Sequence, residues 1–344
     1  MELLVGLLII AIGAFCQSSC YVPINKIKDW SWESYWIVQG VFAWLILPLL
    51  GAVLAVPHGH CLGELLTVNN TFNIFITILF GVLWGVGGLT FGLSMRYLGV
   101  ALGQSIALGT CAALGTIMGP VLLNIFFPEL NAISALTFSV ILGVVVTLIG
   151  IAIIGVAGSM KAASLSDEEK TAAVKDFNFP KGLVIALLAG FMSGCFNVGL
   201  EFGKDIHFGD LTPDMYKTLP ATLLVTMGGF VTNATYCFYQ NSKNHTWSDY
   251  RKGNVWLNNV LFCALAGVLW YSQFFGLSLG KGFLTESPTL ITLSFCILMA
   301  LNVVFSNVWG IILKEWKGCS GKTIATLVVG IVVLIVACFL PQLI

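Results

Sequence analysis

The sequence predicts an all-α integral membrane protein whose ten transmembrane helices form two inverted five-helix repeats. Of its 344 residues, 58% are hydrophobic and only 9% are charged, which excludes a water-soluble globular protein. The mean hydropathy is +0.94. The apolar runs are long enough to cross about 30 Å of hydrocarbon as helices, and each half of the chain holds an odd number of them. A short sequence word also recurs in the two halves.

Ten apolar runs lie between charged or turn-rich segments. They cover residues 3–22, 34–56, 73–95, 98–123, 132–157, 181–203, 216–240, 254–279, 288–313 and 322–340. The longest polar segment, 158–180, separates five runs from the other five. We therefore expect a first five-helix repeat at 1–157, a cytoplasmic linker at 158–180 and a second five-helix repeat at 181–344.

The distribution of lysine and arginine predicts the orientation in the membrane. Thirteen of the 16 basic residues fall in the odd-numbered connections, and such connections stay in the cytoplasm. Both termini are therefore expected on the extracytoplasmic side. Because each half contains an odd number of spans, the two halves cross the bilayer in opposite senses. This is the inverted-repeat geometry of transporters in which one half rocks against the other around a central site.

The recurring word supports a duplication. Gly81-Val82-Leu83-Trp84 is followed by Phe91-Gly92-Leu93-Ser94, and Gly267-Val268-Leu269-Trp270 is followed by Phe275-Gly276-Leu277-Ser278. Both copies lie inside long apolar runs, one in each half of the chain. Internal repeats of this kind are typical of transporters whose binding sites form between the repeats.

The sequence does not predict an enzyme, a cofactor or a metal site. It contains no metalloprotease helix motif, no pair of intramembrane aspartates and no serine with a histidine base. His58 and His60 flank a glycine, but no other metal-ligand cluster accompanies them, so they are expected to be solvated loop residues.

Aromatic and amide side chains near the membrane midplane are the candidate binding residues. Trp84 lies at the centre of the third run and Trp270 near the centre of the eighth, with Tyr271 and Gln273 beside it. Further amides within apolar runs are Gln17, Gln104, Asn197, Asn233, Asn302 and Asn307. Each amide alone could serve only to bond one helix to another. Together with two central tryptophans they predict a polar cavity, because amides in hydrocarbon are costly unless paired.

Such a cavity favours a sugar. Aromatic faces offer flat apolar area to the C–H face of a pyranose, while amides and a phenol bond its hydroxyl groups. A cation site would require central carboxylates and an anion site would require central arginines, and neither is present in the middle of the runs.

Charged residues lie nearer the membrane interfaces. Proton coupling is assigned first to Glu201, then to Glu286 and Glu33, although an ion pair with Lys204 is an alternative role for Glu201, slightly favoured over proton binding. Glu286 and Glu33 precede or begin helices, where an acid also complements the helix dipole. Arg96 either gates the short connection between the third and fourth runs or anchors it at the cytoplasmic surface.

With these residues identified, the chain resembles the L-rhamnose/proton symporter family of the drug/metabolite transporter superfamily. The resemblance rests on four words, at 28–33 (KDWSWE), 95–99 (MRYLG), 270–275 (WYSQFF) and 313–316 (LKEW), spread over almost the whole chain. It implies import of a 6-deoxyhexose such as L-rhamnose, coupled to proton entry across a bacterial inner membrane. The residues that match the family pattern are Trp84, Arg96, Trp270, Tyr271 and Gln273. Those that do not clearly match it are Gln17, Gln104, Asn197 and Glu201.

The sequence leaves two other classes of function open. A small-metabolite exporter or exchanger of the same superfamily would share the helices and repeats, and would differ in the direction and proton dependence of flux. A membrane sensor without transport would need a sizeable soluble domain, and the longest connection has only about twenty residues. The expected partners are a sugar, protons and the lipid bilayer, without nucleic acid, and the sequence leaves the oligomeric state open.

Overall fold

The computed structural model describes residues 2–98, 100–164, 178–312 and 316–340. Its long helices are α1 (Glu2–Ser19), α2 (Trp32–Val53), α3 (Thr71–Leu98), α4 (Val100–Phe126), α5 (Phe138–Ser164), α6 (Phe179–Phe202), α7 (Leu219–Asn244), α8 (Gly253–Gly282), α9 (Pro288–Ile312) and α10 (Gly321–Phe339). Short α-helical turns occupy Tyr21–Ile24 and Leu65–Val68. Short 3₁₀ turns occupy Leu62–Glu64, Pro128–Leu130, Ala132–Ala135, Gly209–Leu211, Asp214–Tyr216 and Thr246–Arg251. The described residues contain no β-strand.

Helix α2 is interrupted by one irregular stretch. It consists of an α-helical part at Trp32–Gly40, a π-helical part at Val41–Ile46 and a second α-helical part at Leu47–Val53. Pro48 follows the π-helical part and cannot donate a backbone N–H, so the hydrogen-bond ladder is already incomplete there. Pi-helical turns are uncommon and occur often at functional sites.

Nine helices in the described part of the chain are long and apolar enough to cross a membrane. The all-α, multi-span membrane architecture predicted from composition is therefore confirmed. The remaining long helix, α7, coincides with the predicted seventh span but is less apolar. Its buried face carries polar side chains, among them Thr222, Thr226, Asn233 and Asn241. These side chains lower its hydropathy although the helix is 26 residues long.

The predicted linker at 158–180 is partly helical. Helix α5 continues to Ser164 and α6 begins at Phe179, so the first residues of that segment extend a span. The stretch 165–177 lies outside the described residues. The predicted repeat boundaries, 1–157 and 181–344, stay a prediction.

Two compact units organise the helices, and neither unit corresponds to one half of the sequence. The first unit comprises Met1–Gly85 and Gly199–Leu284, and the second comprises Val86–Val198 and Thr285–Ile344. The first unit contains α1, α2, the start of α3, the end of α6, and helices α7 and α8. The second contains the rest of α3 and α6 with α4, α5, α9 and α10. Each unit thus combines helices from both halves of the chain.

In the first unit, α1 packs closely on α8. A methyl group at Gly6 would lie 2.8 Å from the Gly280 carbonyl oxygen, and one at Gly13 would lie 2.9 Å from the Ser272 carbonyl oxygen. Lipid supplies no hydrophobic drive for helix association, so such close backbone contact is the main source of packing energy between spans. Because α1 covers one face of α8, helices α2 and α7 pack against the other faces of α8.

In the second unit, α5 and α10 approach each other in the same way. Gly150 faces Leu334, and a methyl group at Gly330 would lie 3.0 Å from the Gly150 carbonyl oxygen. Helix α4 packs on α5 through Gly109, where an added methyl group would lie 2.6 Å from Ile151. Gly109 therefore serves the packing of α4 on α5.

A buried carboxylate ties the first connection of unit one to the segment after α7. The Asp249 carboxylate accepts hydrogen bonds from the Ser31 backbone N–H at 2.8 Å, from the Ser31 and Ser34 hydroxyls at 2.7 and 2.9 Å, and from Lys252 Nζ at 2.6 Å. Burial raises the pKa of Asp249, but these hydrogen bonds outweigh burial and lower the pKa to about 2. The carboxylate therefore stays charged and holds the N-terminus of α2 in place.

Candidate functional site

Three tryptophan rings meet inside the first unit. The centroids of Trp84, on α3, and Trp270, on α8, lie 5.6 Å apart. Trp44, in the π-helical part of α2, lies edge-on to both, at 5.9 Å from Trp84 and 6.0 Å from Trp270. Trp84 and Trp270 are partly exposed, whereas Trp44 is buried. We call Trp44, Trp84 and Trp270 the tryptophan cluster.

The repeated sequence word explains how two of these rings come together. In each copy the glycine lies against a neighbouring helix and the tryptophan follows three residues later. Gly81 faces the backbone of Val225 on α7, and Gly267 faces the Cβ of Phe42 on α2. Close approach at the glycine brings the next turn of each helix inward, so that Trp84 and Trp270 reach the same point.

A second ring contact extends the cluster toward the start of α2. Trp36 packs edge-on against Trp44 at 5.7 Å and stacks on Trp32 at 5.3 Å. The Trp36 Nε1–H donates to the Asn233 side-chain oxygen at 2.9 Å, and the Asn233 amide nitrogen donates to the Gly229 carbonyl at 2.8 Å. Asn233 therefore bonds α7 to α2, as expected for a buried amide between helices.

The polar residues predicted beside Trp270 have different environments. Gln273 is 2% exposed, and its Nε2–H donates to the Trp270 carbonyl at 3.1 Å, so this amide bonds within its own helix. The Tyr271 hydroxyl lies against Gly51 of α2 and has no hydrogen-bond partner among the described residues. Gln17 lies one turn beyond Gly13, on the face of α1 that packs on α8. Its buried Oε1 also has no partner in the described part of the chain.

The predicted binding amide Asn197 does not belong to the tryptophan cluster. Asn197 lies in the second unit, where its Nδ2–H donates to the Gly115 carbonyl at 2.7 Å. Gln104 and Arg96 lie in α4 and α3, and their side chains are outside the described part of the structure.

The three candidate acids differ in their surroundings. Glu33 is 6% exposed, and its Oε1 accepts hydrogen bonds from Asn244 and Thr246 at 3.0 and 2.9 Å, so it links α2 to the end of α7. Glu286 is exposed in the connection before α9. Glu201 lies in the last turn of α6 and is partly buried.

The predicted ion pair of Glu201 with Lys204 is not among the described ion pairs, and Lys204 is exposed. Lys281 is near enough to Glu201 for their charges to interact, although the described ion pairs include none between these two either. Lys281 was expected in a connection, but it lies in the last turn of α8. The sequence separation of about eighty residues hides this interaction from any local pattern.

Comparison with known proteins identifies the family. The model of the family described as L-rhamnose-proton symport protein (RhaT) matches residues 1–343. A protein of Yersinia pestis (strain Pestoides F) named L-rhamnose-proton symporter is 31% identical over 342 residues, covering 97% of this chain and 96% of the relative. The protein of the same name from Yersinia pseudotuberculosis serotype O:1b (strain IP 31758) matches equally. The chain belongs to the L-rhamnose-proton symport protein family. The resemblance drawn from its sequence words is thereby confirmed, and the family is one of transporters rather than enzymes.

The sequence did not predict that Trp44 is a neighbour of Trp84 and Trp270. The available signal was the set of three tryptophans in the second span, Trp32, Trp36 and Trp44. The regular α-helical period assigns Trp44 to the wrong face of α2. The reason is that the π-helical part at Val41–Ile46 changes the direction in which its side chains point.

A glycine on α7 makes room for one ring of the cluster. A methyl group at Gly229 would overlap the Trp84 indole. We expect Gly229→Ala to displace Trp84 and to weaken sugar binding by roughly tenfold, or about 1.4 kcal/mol. Ligand titration of the purified symporter-family protein, followed by tryptophan fluorescence, measures this change.

Gly92→Ala is the matched control, because a methyl group there meets nothing within 4 Å and Gly92 lies on the same helix as Trp84. It should bind sugar as the unchanged protein does. Unchanged affinity in Gly229→Ala would show that the position of Trp84 does not matter for binding.

Proposed function

We propose that this protein is a proton-coupled symporter that imports L-rhamnose or a related 6-deoxyhexose across the bacterial inner membrane by alternating access. Its membership of the L-rhamnose-proton symport protein family supports the proposal, as do the names of the Yersinia relatives. The structural observation that carries it is the convergence of Trp44, Trp84 and Trp270 within one membrane-embedded helical unit.

The chemistry of the tryptophan cluster suits a neutral deoxysugar. A 6-deoxyhexose has a methyl group and a C–H face that stack on indole rings, and hydroxyl groups that bond amides and phenols. Trp84 and Trp270 are partly exposed and can offer such faces. The residues around them, Tyr271, Gln273 and Gln17, are polar but uncharged, which suits a substrate without charge.

Proton coupling is assigned to Glu201. It is the candidate acid that is partly buried and has a cationic neighbour, Lys281, on another helix of the same unit. The Glu33 carboxylate already accepts two hydrogen bonds that link α2 to the end of α7, which favours a structural role for it. Glu286 is exposed, in the connection before α9.

Uptake measurements test the proposed function. Cells that lack their own transporter and express this protein should accumulate labelled L-rhamnose, L-fucose or L-lyxose, with the preferred sugar identifying the substrate. A proton uncoupler should abolish the accumulation. Accumulation that survives the uncoupler would contradict proton coupling, and absence of uptake of all three sugars would contradict the substrate class.

The ten-span, inverted-repeat topology is part of the proposal. Helix α7 is assigned as the span that completes five in each half, and the distribution of basic residues supports both termini lying outside the cytoplasm. Reporter proteins fused at either terminus should therefore show the extracytoplasmic side, and a reporter inserted within 164–170 should show the cytoplasm. A cytoplasmic C-terminus would contradict this orientation.

A further inference from the structure

Several buried polar atoms of the first unit have no hydrogen-bond partner among the described residues, and three of them belong to residues at the interface of α2 with α8. They are the Gln39 side-chain oxygen Oε1, the Trp44 indole nitrogen Nε1 and the Tyr271 hydroxyl. The three residues are 1%, 3% and 6% exposed, respectively. Leaving a buried donor or acceptor unpaired costs about 1–3 kcal/mol, so three at one place need an explanation.

All three lie along one interface, between α2 and α8. The backbone carbonyl of Gln39 and the Phe42 side chain face Gly267, the Trp44 ring contacts the Trp270 ring, and the Tyr271 hydroxyl lies against Gly51. The three residues therefore lie along the same pair of helices, α2 and α8.

The backbone at this place is also unusual. Trp44 lies in the π-helical part of α2, and Gln39 lies two residues before it. Pi-helical turns are rare, and they occur frequently at functional sites. The interface thus combines an irregular backbone with polar groups that lack partners among the described residues.

We propose that Trp44 and Gln39 are specificity-determining residues of the sugar site. The Trp44 Nε1–H donates to one sugar hydroxyl, and Gln39 Oε1 accepts from another, while the indole faces of Trp84 and Trp270 hold the apolar face of the ring. A sugar hydroxyl can both donate and accept, so it complements a lone donor and a lone acceptor. The inference rests on the proposed function, since it names further residues of that same site.

The test replaces Trp44 by phenylalanine, which keeps an aromatic ring and removes the N–H. The purified Trp44→Phe protein should bind L-rhamnose roughly tenfold more weakly than the unchanged protein, the effect of about 1.4 kcal/mol. Its thermal stability shows whether the variant folds, since a buried phenylalanine fills less volume than a tryptophan. Isothermal titration and thermal unfolding in detergent measure the two quantities.

Trp30→Phe is the matched control. Trp30 Nε1 is also buried without a partner among the described residues, but Trp30 packs on Val255 and Cys263, outside the tryptophan cluster. This variant should bind L-rhamnose with unchanged affinity. An equal loss of affinity in Trp30→Phe would overturn the inference, because the effect would then be a general one of removing an indole N–H.

Monodeoxy analogues of L-rhamnose separate a hydrogen bond from a change of shape. The unchanged protein should bind at least one analogue about tenfold more weakly than L-rhamnose, and Trp44→Phe or Gln39→Met should bind that analogue and L-rhamnose equally. If both variants keep the full preference, the inference is wrong while the proposed function stands. If the unchanged protein binds no L-rhamnose, L-fucose or L-lyxose, the proposed function itself fails.

Discussion

Replacing Trp84 or Trp270 by alanine should weaken the affinity for the transported sugar by roughly ten- to a hundredfold. A stacked indole and the area it encloses contribute on the order of 1.5 to 3 kcal/mol to binding. The two rings lie 5.6 Å apart and each is partly exposed, so each can contact a bound pyranose. Equilibrium binding to purified protein, together with the KM for uptake, measures the loss.

Trp256→Ala is the control for this experiment. Trp256 lies on α8, as Trp270 does, but its side chain is exposed and lies outside the tryptophan cluster. It should keep the affinity of the unchanged protein. Well-expressed Trp84→Ala and Trp270→Ala proteins that transport with unchanged affinity would return both rings to a packing role.

Glu201→Gln should abolish proton-driven accumulation and leave sugar exchange down a gradient. A proton carrier must gain and lose a proton in each cycle, and glutamine imitates only the protonated form. Protonation of Glu201 removes its charge, and with it the attraction to the nearby Lys281 on α8. Counterflow of labelled sugar and uphill uptake, measured in the same cells, separate exchange from coupling.

Two further variants make this test sharper. Glu129→Gln removes an exposed acid far along the chain from α6 and should leave both activities intact. Lys204→Met should likewise have little effect, because the exposed Lys204 forms no ion pair with Glu201, whereas Lys281→Met should impair coupling. Retained uphill accumulation in Glu201→Gln would exclude Glu201, and Glu286 and then Glu33 would be the next acids to replace.

Local sequence patterns predicted the helices well because each span must satisfy its own backbone in lipid. The ends were less predictable. Helix α5 continues into the segment expected as a linker, since nothing in its sequence up to Ser164 stops a helix. Helix α7 has polar side chains on its buried face. Its hydropathy is therefore lower than that of the other long helices, and hydropathy alone does not identify it as a span.

The grouping of helices into units was not predictable from order along the chain. The first unit joins α1 and α2 to α7 and α8, which are far apart in sequence. The recurring glycine–tryptophan word was the only sequence signal for this grouping. This motif indicated Trp84 and Trp270 as candidate site residues, and in the structure their rings are in contact.

Other parts of the candidate site had no usable signal. The place of Trp44 depends on the π-helical part of α2, and a shift of helical period is not visible in an apolar stretch. The interaction of Glu201 with Lys281 joins residues on different helices, so spacing favoured the nearer Lys204 instead. The amide of Asn197 was grouped with the tryptophans by hydrophobicity alone, yet it bonds the Gly115 carbonyl in the other unit.

Accumulation of L-rhamnose by purified protein in sealed lipid vesicles tests the central claim most directly. With the outside more acidic than the inside, we expect labelled L-rhamnose to rise inside the vesicles above its external concentration. With no pH difference, the two concentrations should only equalise. The same final level with and without the pH difference would contradict proton-coupled sugar transport by this protein.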